Sequence, residues 1–347
     1  MNGATSLTVG ARTRVAVVGV GAFGRNHARV YHELSQQDGN VELVGVVDSD
    51  PARAAAAAGE FGAQAFASLD DLKGRVDAAS VAVPTVEHLT VARTLMQAGV
   101  DVLIEKPLAP TLAEADELIR LSKQTGRVGQ VGHLERFNPA VRATAGIVTR
   151  PMFFEVHRLS VFGPRALDVD VVLDLMIHDL DIVLSFVSSP VKEVRAVGLP
   201  ILSGKVDIAN VRMEFDSGCV ANFTASRVST ERVRKLRFFQ PHQYVSVDYT
   251  RQDVVVFTVE GEGAARPGAA GLHPSAGIQV VKPEVVREEP LHAELRAFLK
   301  AVRERSTPVV SLDDGRRALA AALDILTAIR EHGRRINLDA VGPASKS

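Results

Sequence analysis

From residue 12 to about residue 131, short apolar runs alternate with longer segments of helical spacing. Val15–Val18, Val41–Val47, Ala78–Val83, Val100–Ile104 and Arg127–Val131 read as buried strands. Phe23, His27, Val30 and Leu34 repeat at helical spacing after the first of these, and the alanine-rich Pro51–Phe61 is a good helix former. His88–Ala98 and Leu112–Thr125 supply further helices. Strand and helix alternating without a hairpin signal predict a doubly wound parallel sheet. Such a sheet binds ligands beyond the C-terminal ends of its strands.

Past residue 150 the period changes. Ala209, Val211, Met213 and Phe215 alternate with Asn210, Arg212 and Glu214; Asp216-Ser217-Gly218 turns the chain, and Cys219, Ala221, Phe223 and Ala225 alternate back. This is an antiparallel hairpin, with Cys219 as a small core residue. Phe153–Val161, Val233–Phe239, Tyr244–Asp248 and Val254–Val259 read as more strands, Gly261–Gly277 as a mobile loop, and Leu291–Arg305 and Asp313–Glu331 as closing amphipathic helices. The expected fold is therefore α/β. A parallel doubly wound domain over residues 1–131 precedes a second domain over 132–347, whose mostly antiparallel open sheet carries one helix layer. The bare face of that sheet would need cover, which a homodimer or homotetramer supplies.

With 347 residues the chain is long enough for two cores. Its 40 basic and 41 acidic residues leave no global field to attract nucleic acid or an anionic membrane. The single cysteine excludes an internal disulfide framework and fits a reducing compartment. No apolar run approaches the roughly 20 residues needed to span a bilayer, and Met1–Ser6 lacks the basic start and apolar core of a signal peptide. A cytoplasmic protein is expected.

Gly19-Val20-Gly21-Ala22-Phe23-Gly24 lies between the first strand and its helix, the context in which a G-x-G-x-x-G pattern signals a dinucleotide. The first glycine allows the tight turn, the second admits a pyrophosphate to the backbone, and the third lets the helix pack on the strand. Asp48 closes the second strand at close to the spacing expected of the acid that hydrogen-bonds the adenosine ribose. An acid there repels a 2′-phosphate, so NAD is expected rather than NADP. Asp48 could instead cap the next helix, a task that Asp50-Pro51 could perform equally well. The strand-end rule also selects Pro84-Thr85, Glu105-Lys106-Pro107 and Gly132-His133. Lys106 at a strand end can hydrogen-bond a substrate hydroxyl during proton transfer, or simply be a solvated loop lysine. The Lys106–Pro107 bond can be cis.

Val169–Val187 reads as a helix that is apolar nearly all round, with Asp170, Asp174, His178 and Asp181 as exceptions. Asp174 and His178 are one turn apart, where a carboxylate fixes a histidine tautomer and makes it a better base. A satisfied core histidine is the plainer reading. A divalent metal is the other rival, but no second His or Cys group completes a catalytic zinc set, and no metal is expected. Arg136, Arg158 and Arg165 could bind a phosphate, although any one of them could be an ordinary salt-bridge arginine.

Together, Gly19-x-Gly21-x-x-Gly24, Pro84-Thr85-x-x-His88, Glu105-Lys106-Pro107 and Asp174-x-x-x-His178-Asp179 resemble the signature set of the Gfo/Idh/MocA family over nearly the whole chain. The resemblance implies an NAD(P)-binding Rossmann domain and oxidation of a sugar or cyclitol hydroxyl. Lys106, Asp174 and His178 would be the catalytic group, with Ala22, Phe23, Pro84, Thr85, His88, Glu105 and Lys106 joining the glycines and Asp48 around the cofactor. The glycine triplet usual before the catalytic aspartate is replaced by Val171-Val172-Leu173. Gly132-His133-Leu134-Glu135-Arg136-Phe137-Asn138-Pro139 and Arg165-Ala166-Leu167-Asp168 resemble the nucleotide-sugar branch. That likeness implies oxidation of UDP-N-acetylglucosamine at its 3-hydroxyl, with His133, Arg136, Asn138, Arg158 and Arg165 on the substrate. A pathway aminotransferase would act next, toward the diamino sugar of lipid A. A free-sugar or inositol dehydrogenase and a silent NAD-binding regulatory module remain open.

Overall fold

The computed structural model of the chain describes residues 12–163, 169–259 and 277–336. Nearly all of Gly261–Gly277, and the opening Met1–Ser6, lie outside them. Two units result, Met1–Leu134 with Glu289–Arg316, and Glu135–Glu288 with Arg317–Ser347.

The first unit holds β1 (Thr13–Val18), α1 (Ala22–Asp38), β2 (Val41–Val47), α2 (Pro51–Phe61), β3 (Gln64–Phe66), β4 (Ala78–Val81), α3 (His88–Gln97), β5 (Asp101–Glu105), α4 (Leu112–Thr125) and β6 (Gly129–Gly132). Its six strands are parallel in the order β3-β2-β1-β4-β5-β6. The order reverses at β1, whose neighbours are β2 and β4, so the switch-point crevice opens at the end of β1. Val30, Tyr31 and Leu34 of α1 are buried, but Phe23 is 61 % exposed and does not share their face as the spacing predicts.

The second unit contains α5 (Pro139–Thr144), β7 (Phe153–Val161), α6 (Ile177–Phe186), β8 (Val191–Leu199), β9 (Ile208–Phe215), β10 (Val220–Ser229), β11 (Val233–Gln240), β12 (Gln243–Asp248), β13 (Asp253–Val259) and β14 (Ile278–Val281). The sheet order is β14-β13-β12-β11-β7-β10-β9-β8, antiparallel except where β7 meets β10. Hairpin β9–β10 pairs Met213 with Ala221 and Val211 with Phe223. Cys219 is buried beside it, and burial pushes its thiol up to about 11, which suits a core residue. The expected helix over Val169–Val187 is in two pieces. Val172–Met176 form a π-helical turn, and α6 follows directly.

α7 (Pro290–Glu304) corrects the expected domain boundary, because it returns to the first unit. Leu295, Phe298, Leu299 and Val302 enter one core with Val15, Val17, Tyr31 and Leu34. Its ends are tied down as well. Glu289 accepts from Arg29 at 2.5 Å, His292 meets Glu33 at 2.6 Å, and Arg305 donates to the buried Asp101 at 2.5 Å. From α8 (Leu312–Arg335), Ala318, Ala322, Ile325 and Ile329 enter the second unit's core. Among the described residues no helix is long and apolar enough to cross a membrane.

Phe298→Ala should destabilise the first unit by about 3–5 kcal/mol, as expected for emptying a fully buried aromatic site. Urea denaturation followed by circular dichroism would read this, and a loss under about 1 kcal/mol would mean that α7 is dispensable to this core.

Candidate functional site

Three glycines open the crevice for three different reasons. Gly19 has φ +83°, and a Cβ there would stand 2.6 Å from the Ala82 carbonyl oxygen. A Cβ on Gly24 would run into the Gly19 carbonyl oxygen. Gly21 has nothing within 4 Å of its Cβ position. Its backbone faces a cleft of about 720 Å³, lined among others by Ala22, Phe23, Asp48, Arg53 and Pro84. The first turn of α1 carries no acidic residue, so its free N–H groups and positive dipole end are left to an anion.

Asp48 and Asp50 divide the two tasks that the sequence leaves open. Asp50 caps α2, accepting from Ala52 N at 3.0 Å. Asp48 instead accepts from Val20 N at 2.8 Å and from Asp50 N at 2.9 Å, with Arg53 beside it at 3.3 Å. The acid is thereby held against the glycine loop, at the wall of the cleft.

Thr85 opens a short 3-10 turn after β4. His88 is buried and serves the backbone. Its Nδ1 meets the Pro107 and Leu108 carbonyls at 3.1 and 3.2 Å, and its Nε2 meets Val83 O at 3.1 Å. Burial holds its pKa below the ordinary histidine value despite those acceptors. Its place is therefore to tie the turn after β4 to the loop after β5.

Glu105 and Lys106 stand at the end of β5, and the Lys106–Pro107 bond is cis. Burial pushes the Glu105 carboxyl up, but the hydrogen bond to His27, with His27 and Lys106 close by, outweighs it and holds it below the ordinary carboxylate range. His133 follows β6 and is buried within the same unit.

In the second unit Asp174 lies in the π-helical turn and His178 in the first turn of α6, both half-buried. Their neighbours on the helix are gripped by arginines. Arg158 Nε and Nη2 donate to Asp179 at 2.7 and 2.8 Å, and Nη1 donates to Glu135 at 2.9 Å. Its guanidinium also lies 5.3 Å from the Tyr249 ring centroid. Burial works against the Arg158 charge, but Asp179 and Glu135 lift its pKa well above the ordinary value. Arg136 holds Asp181 in the same forked way at 2.8 and 2.9 Å. Asn138 caps α5 through Ala140 N at 3.0 Å, and its amide donates to Glu135 and to the Tyr249 carbonyl.

These bonds correct the expected substrate contacts. Arg158, 2 % exposed, and the buried Asn138 are spent on the second unit's interior, and the Arg136 fork is committed to Asp181. Arg165 lies outside the described residues. Glu135 and Tyr249 were missed, because no helical or strand spacing in the sequence announces that Arg158 meets Glu135, 23 residues away, or that Asn138 meets Tyr249, 111 residues away. The signal available was the set of acids on an otherwise apolar helix, which need cations.

Comparison with known proteins bears on both units. Residues 13–133 match a family model described as an oxidoreductase family with an NAD-binding Rossmann fold, and residues 125–244 match the GFO/IDH/MocA C-terminal domain. A UDP-N-acetylglucosamine 3-dehydrogenase of Acidithiobacillus ferrooxidans is 39 % identical over 318 residues, covering 91 % of this chain and 97 % of that protein. The chain belongs to the Gfo/Idh/MocA oxidoreductase family. A solved structure of that Acidithiobacillus ferrooxidans dehydrogenase superposes with a TM-score of 0.83 at 36 % identity, over 92 % of this chain and 98 % of the other. A scyllo-inositol 2-dehydrogenase (NAD(+)) of Bacillus subtilis is 26 % identical over 94 % of this chain and 97 % of its own.

The first unit of this Gfo/Idh/MocA protein is thus its NAD-binding Rossmann domain, and its residues fit the cofactor. The cleft at Gly21 leaves room at the backbone for a diphosphate, and the acid-free first turn of α1 suits its charge.

Arg158→Met should cost about 3–5 kcal/mol of stability, because it strands two buried carboxylates. Chemical denaturation measures it. An unchanged unfolding midpoint with a raised KM would instead restore Arg158 to substrate binding.

Proposed function

We propose that this protein is a nucleotide-sugar dehydrogenase that oxidises UDP-N-acetylglucosamine at the 3-hydroxyl, using NAD. The observation that carries this reading is the 39 % identity to a UDP-N-acetylglucosamine 3-dehydrogenase over nearly the full length of both chains. NAD, when bound, supplies the hydride acceptor. Gly19, Gly21 and Gly24 with Ala22 and Phe23 would hold its diphosphate end, Asp48 the ribose hydroxyls, and Pro84, Thr85 and Glu105 the walls beyond. His178 takes the proton of the reacting hydroxyl, Asp174 orients the imidazole, and Lys106 donates a hydrogen bond to the oxygen as charge develops. These roles are supported by the matching motifs and by the placement of each group at a strand end or in an otherwise apolar helix.

The product would be a 3-keto sugar nucleotide, consumed by an aminotransferase on the way to the diamino sugar of lipid A. A cytoplasmic setting agrees with the single buried cysteine. A homodimer or homotetramer built on the second unit's sheet agrees with the aromatic row Phe153, Phe239, Tyr244 and Phe257 along the face of β7, β11, β12 and β13. The relative acting on scyllo-inositol favours a second reading, a cyclitol dehydrogenase. The commitment of Arg136 and Arg158 to ion pairs weakens the case for a diphosphate drawn from those arginines.

NADH formation with UDP-N-acetylglucosamine, in the presence of an aminotransferase or another ketone trap, should exceed that with free sugars or inositol. Turnover of inositol alone would establish the second reading. Lys106→Met and His178→Asn should each lower kcat by roughly 10²-fold or more with little change in NADH affinity; near-normal turnover would make that residue structural. NAD should bind more tightly than NADP, and Asp48→Ser should narrow the difference. A wild type that prefers NADP would remove the ribose from Asp48.

A further inference from the structure

Below the C-terminal end of β5 lies a polar chain whose three inner members are shut off from solvent. Tyr31 Oη meets Ser80 Oγ at 3.0 Å, Ser80 Oγ meets His27 Nδ1 at 3.0 Å, and His27 Nε2 meets Glu105 Oε1 at 2.9 Å. Tyr31, Ser80 and His27 are each at most 1 % exposed. Buried polar groups are costly unless they satisfy one another, and an apolar set of similar shape would serve a core as well. These side chains therefore need a reason beyond packing.

The directions of the bonds follow from Glu105. As a carboxylate it accepts, so His27 Nε2 carries a proton; with Nδ1 as the acceptor of the ring, Ser80 donates to it and accepts from the Tyr31 hydroxyl. One assignment satisfies every member, and every donor points toward Glu105. The far end is closed, because Tyr31 is fully buried and burial pushes its phenol further from ionisation. The chain is an anchor and no route for protons to solvent. β6 makes room for it, since a Cβ on Gly132 would stand 2.8 Å from Glu105 Oε1.

We propose that His27, backed by Ser80 and Tyr31, is a positioning residue that fixes the Glu105 carboxylate and through it the direction of Lys106. The proposal rests on the reading of Lys106 as the donor to the reacting oxygen. Its test separates the two.

His27→Gln should lower kcat by roughly 10- to 100-fold, the scale of a misplaced reacting group, while KM and NADH affinity stay within about threefold. Placed in Lys106→Met, the same substitution should cause no further loss, since nothing is left to position. Losses that multiply in the double variant, or full turnover by His27→Gln, would overturn the proposal. Ser80→Ala, which removes one link with little change of shape, carries the same cycle if His27→Gln does not fold. Isotope-labelled methyl NMR of reductively methylated lysines reads Lys106 directly, assigned by its loss in Lys106→Met. Its resonance should stand apart from exposed lysines in the wild type and move toward them in His27→Gln or Ser80→Ala. An unmoved resonance sinks the positioning role whatever the activity. A moved resonance with Lys106→Met still active sinks the functional reading and leaves the positioning intact.

Discussion

The first unit depends on how closely the start of α1 approaches the ends of β1 and β4. Gly24 lies against the Gly19 carbonyl and Gly19 against Ala82, so no side chain can separate helix from sheet. That approach aims the helix N-terminus at the crevice and lets Asp48, on the neighbouring strand, reach the Val20 amide. The same proximity places His27, one turn along α1, over Ser80 and within reach of Glu105. Cofactor cradle and lysine-bearing strand end are thus consequences of one contact.

The second unit is governed by a buried ion cluster instead. Such clusters are weak evidence of stability, because desolvation offsets most of the attraction. Forked arginine bonds are nevertheless directional. Asp179 and Asp181 on α6 are each gripped at two oxygens. These grips fix the rotation of the helix that carries His178. Geometry, more than net energy, is what the cluster supplies.

Much of this was legible in the sequence, for reasons that are local. The strands of the parallel sheet are short buried runs, the glycines have steric consequences within a few residues, and Asp48 and Lys106 stand where strands end. The hairpin of β9 and β10 follows from alternation alone. What failed was long-range. The residue types of Arg158, Arg136 and Asn138 fit a phosphate or sugar as well as they fit Asp179, Asp181 and Glu135, and only the fold decides between them. Phe23 shares the helical spacing of buried residues, but the crevice lies where core would otherwise be. α7 is amphipathic in either domain, so its pattern carries no address.

The chain crosses between its units after Leu134, after Glu288 and after Arg316. On a ribosome this order has a cost. When residues up to Leu134 have emerged, the sheet exists in sequence, but the surface meant for Leu295, Phe298 and Val302 is bare. It stays bare until all of Glu135–Glu288 has been made. The Rossmann half, although first in the chain, cannot finish folding first. Its nascent form exposes an apolar groove while the second unit is synthesised, the condition under which chaperones are needed.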